Sequence, residues 1–148
     1  MTTFEHSFIV DAPLAKVRNF HADTSALKQL TPPPMIAQMH TIEPLAEGSI
    51  SEFTLWLGPI PIRWRAVHRD VTANQFTDVQ DAGPAKSWAH THRFVDLGDD
   101  RTRVDDHIEY ELHPSFKGFL TLFLFSKVGL RGLFFWRMVA TRRGCRVK

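Results

Sequence analysis

Cysteine occurs once in this chain, at Cys145, so no intramolecular disulfide and no cysteine-built zinc site can form. Such usage suits a reducing cytoplasm. Glycines number eight and stand singly, which leaves no glycine-rich loop to cradle phosphate. The strongest apolar run, Phe119–Phe125, stops at Ser126 and Lys127, too short to span a bilayer. The opening MTTFEHSFIVDAP is too short and too polar for a secretory signal, so the expectation is a cytoplasmic protein. Acidic residues are missing altogether after Glu111. From Phe116 onward stand eight cations (Lys117, Lys127, Arg131, Arg137, Arg142, Arg143, Arg146 and Lys148), against a net charge of −6 before it. The plain reading is a terminal helix whose end is complemented by cations. The sharper one is attraction to an anionic membrane surface. Basic residues confined to one apolar helix, with no recognised module, argue against nucleic-acid binding.

What is present is a chain of 148 residues, 43% hydrophobic and 23% charged, enough for one domain (1–148) with a substantial core. Twelve phenylalanines and four tryptophans supply bulk for a core or for the walls of an apolar pocket.

Phe4, His6, Phe8 and Val10 alternate with polar neighbours and predict a first strand. Asp11-Ala-Pro13 reads as a helix start capped by Asp11, with Leu14, Val17 and Phe20 on the apolar side. Asp23 or Thr24 caps a second short helix, which Pro32-Pro33-Pro34 must end. Six strands follow, at about 35–43, 49–57, 61–71, 75–81, 86–96 and 102–112, with short turn-rich connections that favour sequential antiparallel pairing. Residues Phe116–Arg143 have helical length and are apolar nearly all round, with a narrow polar stripe at Lys127 and Arg131. Such a helix leaves room for a homodimer. The expected class is α+β: about seven antiparallel strands curled around a long C-terminal helix, with a pocket between them.

In KSWAHTHRF, residues Trp88, His90, His92 and Phe94 share one strand face. If that face points inward, parity sends Trp64 and His68 the same way, with Phe76 and Asp78 on the next strand and Asp106 and Tyr110 on the last. Buried Asp–His pairs on adjacent strands satisfy one another, and that explanation competes with ligand contact. Acid–base chemistry would use His90 or His92 oriented by Asp106, with Tyr110 donating to a developing enolate. His90 and His92 could share a metal with His68 or Asp78, but no metalloenzyme motif accompanies them, so no metal or cofactor is expected.

The phrases Leu30-Thr-Pro-Pro33, Trp64-Arg-Ala-Val-His68, Phe76-Thr-Asp78, Trp88-Ala-His-Thr-His92-Arg-Phe94, Asp106-His-Ile-Glu-Tyr110 and Phe134-Phe-Trp-Arg137 carry a resemblance. With the element order, the chain resembles the START-like helix-grip superfamily, in its bacterial cyclase-like ligand-binding branch, over nearly its whole length. That resemblance implies a cavity for a hydrophobic or aromatic small molecule, lipid or polyketide-like. The expected lining is Trp64, His68, Phe76, Asp78, Trp88, His90, His92, Phe94 and Tyr110. It also implies two alternatives: a cyclase/dehydratase using His90, His92 and Asp106, and a carrier at a membrane surface. Fold alone does not choose among them.

Overall fold

The structure is a computed structural model that describes residues 1–113 and 125–146, Thr24 by its backbone only. The first strand, β1 (Thr2–Val10), leads into helix α1 (Leu14–Ala22), a 3₁₀ turn (Thr24–Ala26) and the short helix α2 (Leu27–Leu30). Six strands follow: β2 (Ile36–Ile42), β3 (Ile50–Leu57), β4 (Ile60–Arg69), β5 (Gln75–Ala82), β6 (Ser87–Gly98) and β7 (Arg101–Glu111). Helix α3 (Lys127–Gly144) closes the order. The strands form one antiparallel sheet in the order β1-β7-β6-β5-β4-β3-β2. This is the expected α+β helix-grip architecture.

Turn chemistry explains the tight reversals. Between β6 and β7, Asp99 and Asp100 both adopt positive φ (54° and 53°), which matches the twist of the flanking strands. Between β3 and β4, Gly58 takes φ +58°.

The start of α1 differs from expectation. Asp11 is exposed and its Oδ1 lies 3.7 Å from Arg101 Nε, so it caps nothing. The Pro13 carbonyl instead accepts from the amides of Lys16 and Val17 at 3.0 and 3.2 Å. Asp23 does act locally: its Oδ1 accepts from the Ser25 amide at 3.0 Å and the Ser25 hydroxyl at 2.7 Å, fixing the turn into α2. The expected start of the long helix, at Phe116, lies outside the described residues. Within them the helix begins at Lys127, because Ser126 has extended backbone and its Oγ accepts from the Gly129 amide at 3.1 Å. The helix is also more one-sided than expected. Leu130, Phe134 and Thr141 are buried, while Val128 and Phe135 are exposed.

Two apolar clusters fill the inward face of the sheet. One joins Phe4, Trp64, Trp88, Ile108 and Tyr110 to Phe125, Leu130 and Phe134 from the C-terminal segment. The other joins Phe8, Val10, Phe76, Phe94 and Val104 to Val17 of α1 and to Cys145. Along β6 the residues between Trp88 and Phe94 on this face are His90 and His92. On β7 the residue between Ile108 and Val104 is Asp106, and on β1 the residue between Phe4 and Phe8 is His6. A polar belt therefore crosses the sheet between two dry clusters.

Candidate functional site

Strand register builds the belt. His68 stands directly opposite Asp78, Asp78 opposite His90, and His92 opposite Asp106. His6 stands opposite Asp106 on the other side. Cross-strand and diagonal neighbours lie within reach of such side chains.

The result is a string of alternating imidazoles and carboxylates. His68 Nδ1 lies 2.7 Å from Ser49 Oγ, and its Nε2 lies 3.1 Å from Asp78 Oδ1. Asp78 Oδ2 is 2.9 Å from His92 Nε2. His92 Nδ1 is 3.3 Å from Asp106 Oδ1, the oxygen that also meets His90 Nε2 at 2.8 Å. The His68–Asp78 and His92 Nδ1–Asp106 contacts are within ion-pair distance but off the hydrogen-bond line.

Electrostatics separates the roles of the groups. Burial would raise the Asp78 carboxyl, but the adjoining His68 and His92 imidazoles outweigh it and hold Asp78 far below the usual carboxylate range. Asp106 is likewise held well below that range, because the adjoining His90 and His92 imidazoles overcome burial. Burial would lower His92, yet the two carboxylates flanking its ring raise it above the ordinary value. His92, set between two carboxylates, is thus the imidazole of the belt that holds a proton most readily. For His90, burial dominates and, with the nearby His92 cation, pushes it down to about 4 despite Asp106. A neutral His90 must donate from Nε2 to the ionised Asp106, which leaves its Nδ1 lone pair as an acceptor. Both ring nitrogens of His92 face carboxylates, so of the two expected catalytic histidines His90 is the better placed to act as a base.

A cavity of about 540 Å³ opens on this belt, between the sheet, the α2–β2 connection and α3. Its apolar walls include Phe53, Trp64, Phe76, Trp88 and Phe125, and its polar wall holds His68, Asp78, His90 and His92. A larger cleft of about 910 Å³ runs along β2–β4 past His40, Trp56 and Arg65, more open to solvent and remote from the belt. The less open cavity, with its convergent polar groups, is the better candidate.

Two expected lining residues lie elsewhere. Phe94 is sealed in the cluster beneath α1, one rung beyond the belt. Tyr110 is buried at the other end, and its hydroxyl donates to the Phe125 carbonyl at 2.9 Å, so it is committed to the backbone. Burial raises its pKa. Asp106 belongs to the belt but acts behind His90 and His92 and is not part of the cavity wall.

The site also gains residues that strand parity on β4–β7 could not supply. His21, from α1, lines the cavity with its ring 5.7 Å from that of His92 and its Nε2 3.2 Å from Thr141 Oγ1. Burial, followed by the His92 and Arg137 charges, holds it well below the ordinary value. Arg137, from α3, lines the same cavity. Asp78, His90 and His92 bring one potential metal donor each within 4.8 Å of one another. The carboxylate–imidazole bonds described above account for that grouping without an ion.

No protein-family model matches the chain, and no curated protein matches its sequence. Solved structures do match its fold. A START superfamily protein from Mycobacterium smegmatis aligns with TM-score 0.72 at 13% identity, over 97% of this chain and 96% of that one. An aromatase/cyclase from a Streptomyces species aligns with TM-score 0.67 at 15% identity, over 97% and 90%. Norcoclaurine synthase from Thalictrum flavum, solved with dopamine and hydroxybenzaldehyde, aligns with TM-score 0.68 at 15% identity, over 96% and 84%. At these identities the likeness establishes the START-like helix-grip fold.

Proposed function

We propose that the protein binds a hydrophobic or aromatic small molecule, lipid or polyketide-like, in the cavity between the sheet and α3. The observation that carries this reading is the cavity's two-ended lining. Trp64, Trp88, Phe53 and Phe125 offer apolar and aromatic surface, and the histidine–aspartate belt offers orienting polar groups. That is the usual anatomy of a small-molecule site, and about 540 Å³ lies within the usual size range. The structural neighbours support it: one is a START superfamily protein, and another holds two aromatic molecules. Trp64 and Trp88 report on occupancy, so titration by intrinsic fluorescence, with native mass spectrometry for stoichiometry, tests the proposal directly. A panel of fatty acids, fatty alcohols and fused-ring aromatics that produces neither a saturable signal nor a 1:1 complex would overturn it.

A second reading is a cyclase or dehydratase in the same cavity. It is favoured by the neutral His90, oriented by Asp106 at 2.8 Å and lining the cavity wall. Its role would be to take a proton alpha to a ligand carbonyl. Among the neighbours, an aromatase/cyclase and a synthase share the fold. Once a ligand is known, His90→Gln should retain binding and lose turnover. Equal turnover in that variant would end this reading.

A third reading, a carrier at an anionic membrane surface, draws on the exposed Val128, Arg131 and Phe135 of α3. Cosedimentation with liposomes that is indifferent to anionic lipid and to salt would exclude it. No helix among the described residues is long and apolar enough to cross a membrane.

A further inference from the structure

Arg137 is the sole Lys or Arg lining the cavity among the described residues. It is partly buried, and its Nε is shut off from solvent with no hydrogen-bond partner. Its guanidinium carbon lies 5.4 Å from the centre of the Phe134 ring. No carboxylate among the described residues lies within ion-pair distance of it. Asp78 and Asp106 do act on it from farther off, but burial dominates and lowers its pKa. Both carboxylates are already engaged by His68, His90 and His92.

Polar groups removed from water are normally paired, and a buried cation most of all. The belt has arranged its partners so that every aspartate is used and the arginine fork is not. A guanidinium presents five donors in a plane, a geometry that suits two oxygens of one carboxylate. The same cavity is walled by Phe53, Trp64, Trp88 and Phe125. The pairing of one unspent cation with an apolar chamber specifies an amphipathic guest.

We infer that the cavity selects an apolar molecule bearing a single carboxylate, whose two oxygens are taken by the Arg137 guanidinium while its body lies against the aromatic wall. This inference rests on the ligand-binding reading and narrows it to organic acids. The guest can be aliphatic or aromatic, because the apolar part of the wall carries both aromatic side chains and the aliphatic Leu30, Leu55 and Ile62.

The test is a fluorescence titration of the intact protein with decanoic acid, methyl decanoate and 1-decanol, and in parallel with 4-phenylbutanoic acid and its methyl ester. The two series separate an aliphatic from an aromatic guest. The acid of the better series should bind at least about tenfold more tightly than its ester, the size of effect a charge-assisted bidentate contact produces. Arg137→Met keeps the stem and removes the fork, and should erase that preference while ester affinity stays within about threefold. Arg137→Lys keeps the charge without the fork and should retain part of the preference. If Arg137→Met does not fold, the acid-to-ester ratio of the native protein and of Arg137→Lys still decides. Esters binding as tightly as acids would overturn the carboxylate inference and leave the ligand-binding reading standing. Absence of binding by every acid, ester and alcohol would overturn both.

Discussion

Asp78 Oδ2 and His92 Nε2 stand 2.9 Å apart on neighbouring strands, two residues off the direct cross-strand position. That diagonal links a His68–Asp78 contact to a His92–Asp106 contact and turns two separate pairs into one string. The string raises the pKa of His92, while that of His90 is lowered, though both lie on one strand face two residues apart.

Asp106 serves both histidines, so its removal leaves His90 without a carboxylate and His92 with Asp78 alone. Asp106→Ala is expected to cost about 3–5 kcal/mol, as breaking a buried ion pair from one side does. Urea unfolding at neutral pH measures it. In the native protein His92 should titrate above 6.5 by NMR, and in the variant its pKa should fall. An unchanged His92 pKa would mean that Asp78 alone holds the charge.

Stability should fall on acidification through a defined window. His90 titrates near 6.5 when unfolded and is pushed down to about 4 when folded, so between these values the unfolded chain binds the extra proton. Stability is therefore present above about 6.5 and is lost toward 4, by up to about 3 kcal/mol from this group. His21 and His6, both lowered mainly by burial, act in the same direction. His92 acts oppositely: its folded pKa is raised, so its contribution is complete below 6.5 and fades as pH rises through the folded value. The groups facing this set are His68, Asp78, Asp106 and Arg137, and the two aspartates lose their contribution only below about 3.8. Urea midpoints across pH 4.5–8 test this, and His90→Gln should flatten the acid limb by about one proton.

Ala66 lines the cavity and is itself buried. Ala66→Leu should place its added carbons in open volume. Affinity for any cavity ligand should drop at least about tenfold, while stability changes by less than about 1 kcal/mol. A loss of about 1–3 kcal/mol, typical of overpacking, would mean that the chamber is closed in solution.

Tyr110→Phe should separate the core from the site. The variant loses the hydroxyl bond to Phe125 and about 1 kcal/mol of stability, with ligand affinity unchanged. A large loss of affinity without loss of stability would return Tyr110 to the site.

Two glycines of α3 offer a paired check on the fold. A Cβ at Gly144 would run into the Phe20 ring, whereas one at Gly132 meets nothing. Gly144→Ala should destabilise by about 1–3 kcal/mol. Gly132→Ala should stabilise by up to about 1 kcal/mol through helix propensity.

Strand periodicity made much of this legible. A period of two is rigid, so one inward residue on β6 fixed the facing of His68, Asp78 and Asp106 on their own strands. Register was another matter, because parity is the same for every even shift. Parity therefore identified His68, Asp78, His90, His92 and Asp106 without saying that His92 would meet two carboxylates and His90 one. How far along each strand the cavity extends depends on where α1 and α3 lie, which is why Phe94 and Tyr110 looked equivalent to Trp88. His6 was within reach of the same parity argument, since Phe4, His6 and Phe8 alternate on β1. Arg137 was not. In sequence it is one of eight terminal cations, and only the packing of α3 against the sheet distinguishes it from Arg131 or Arg142.

The strand order has a kinetic side. β1 and β2 are consecutive in the chain yet occupy opposite edges of the sheet, and β1 pairs with β7 from Thr2 opposite Tyr110 to Val10 opposite Thr102. Strands β2 to β7 can zip as neighbouring hairpins, each closing a short loop. The β1–β7 ladder must close a loop spanning most of the chain, and its entropy cost is met only after the other strands are in place. Refolding on the millisecond-to-second scale is expected for so non-local a sheet. Substitutions such as Phe4→Ala or His6→Ala in β1 should hasten unfolding and leave the refolding arm in place. A slowed refolding arm would instead put β1 in the nucleus.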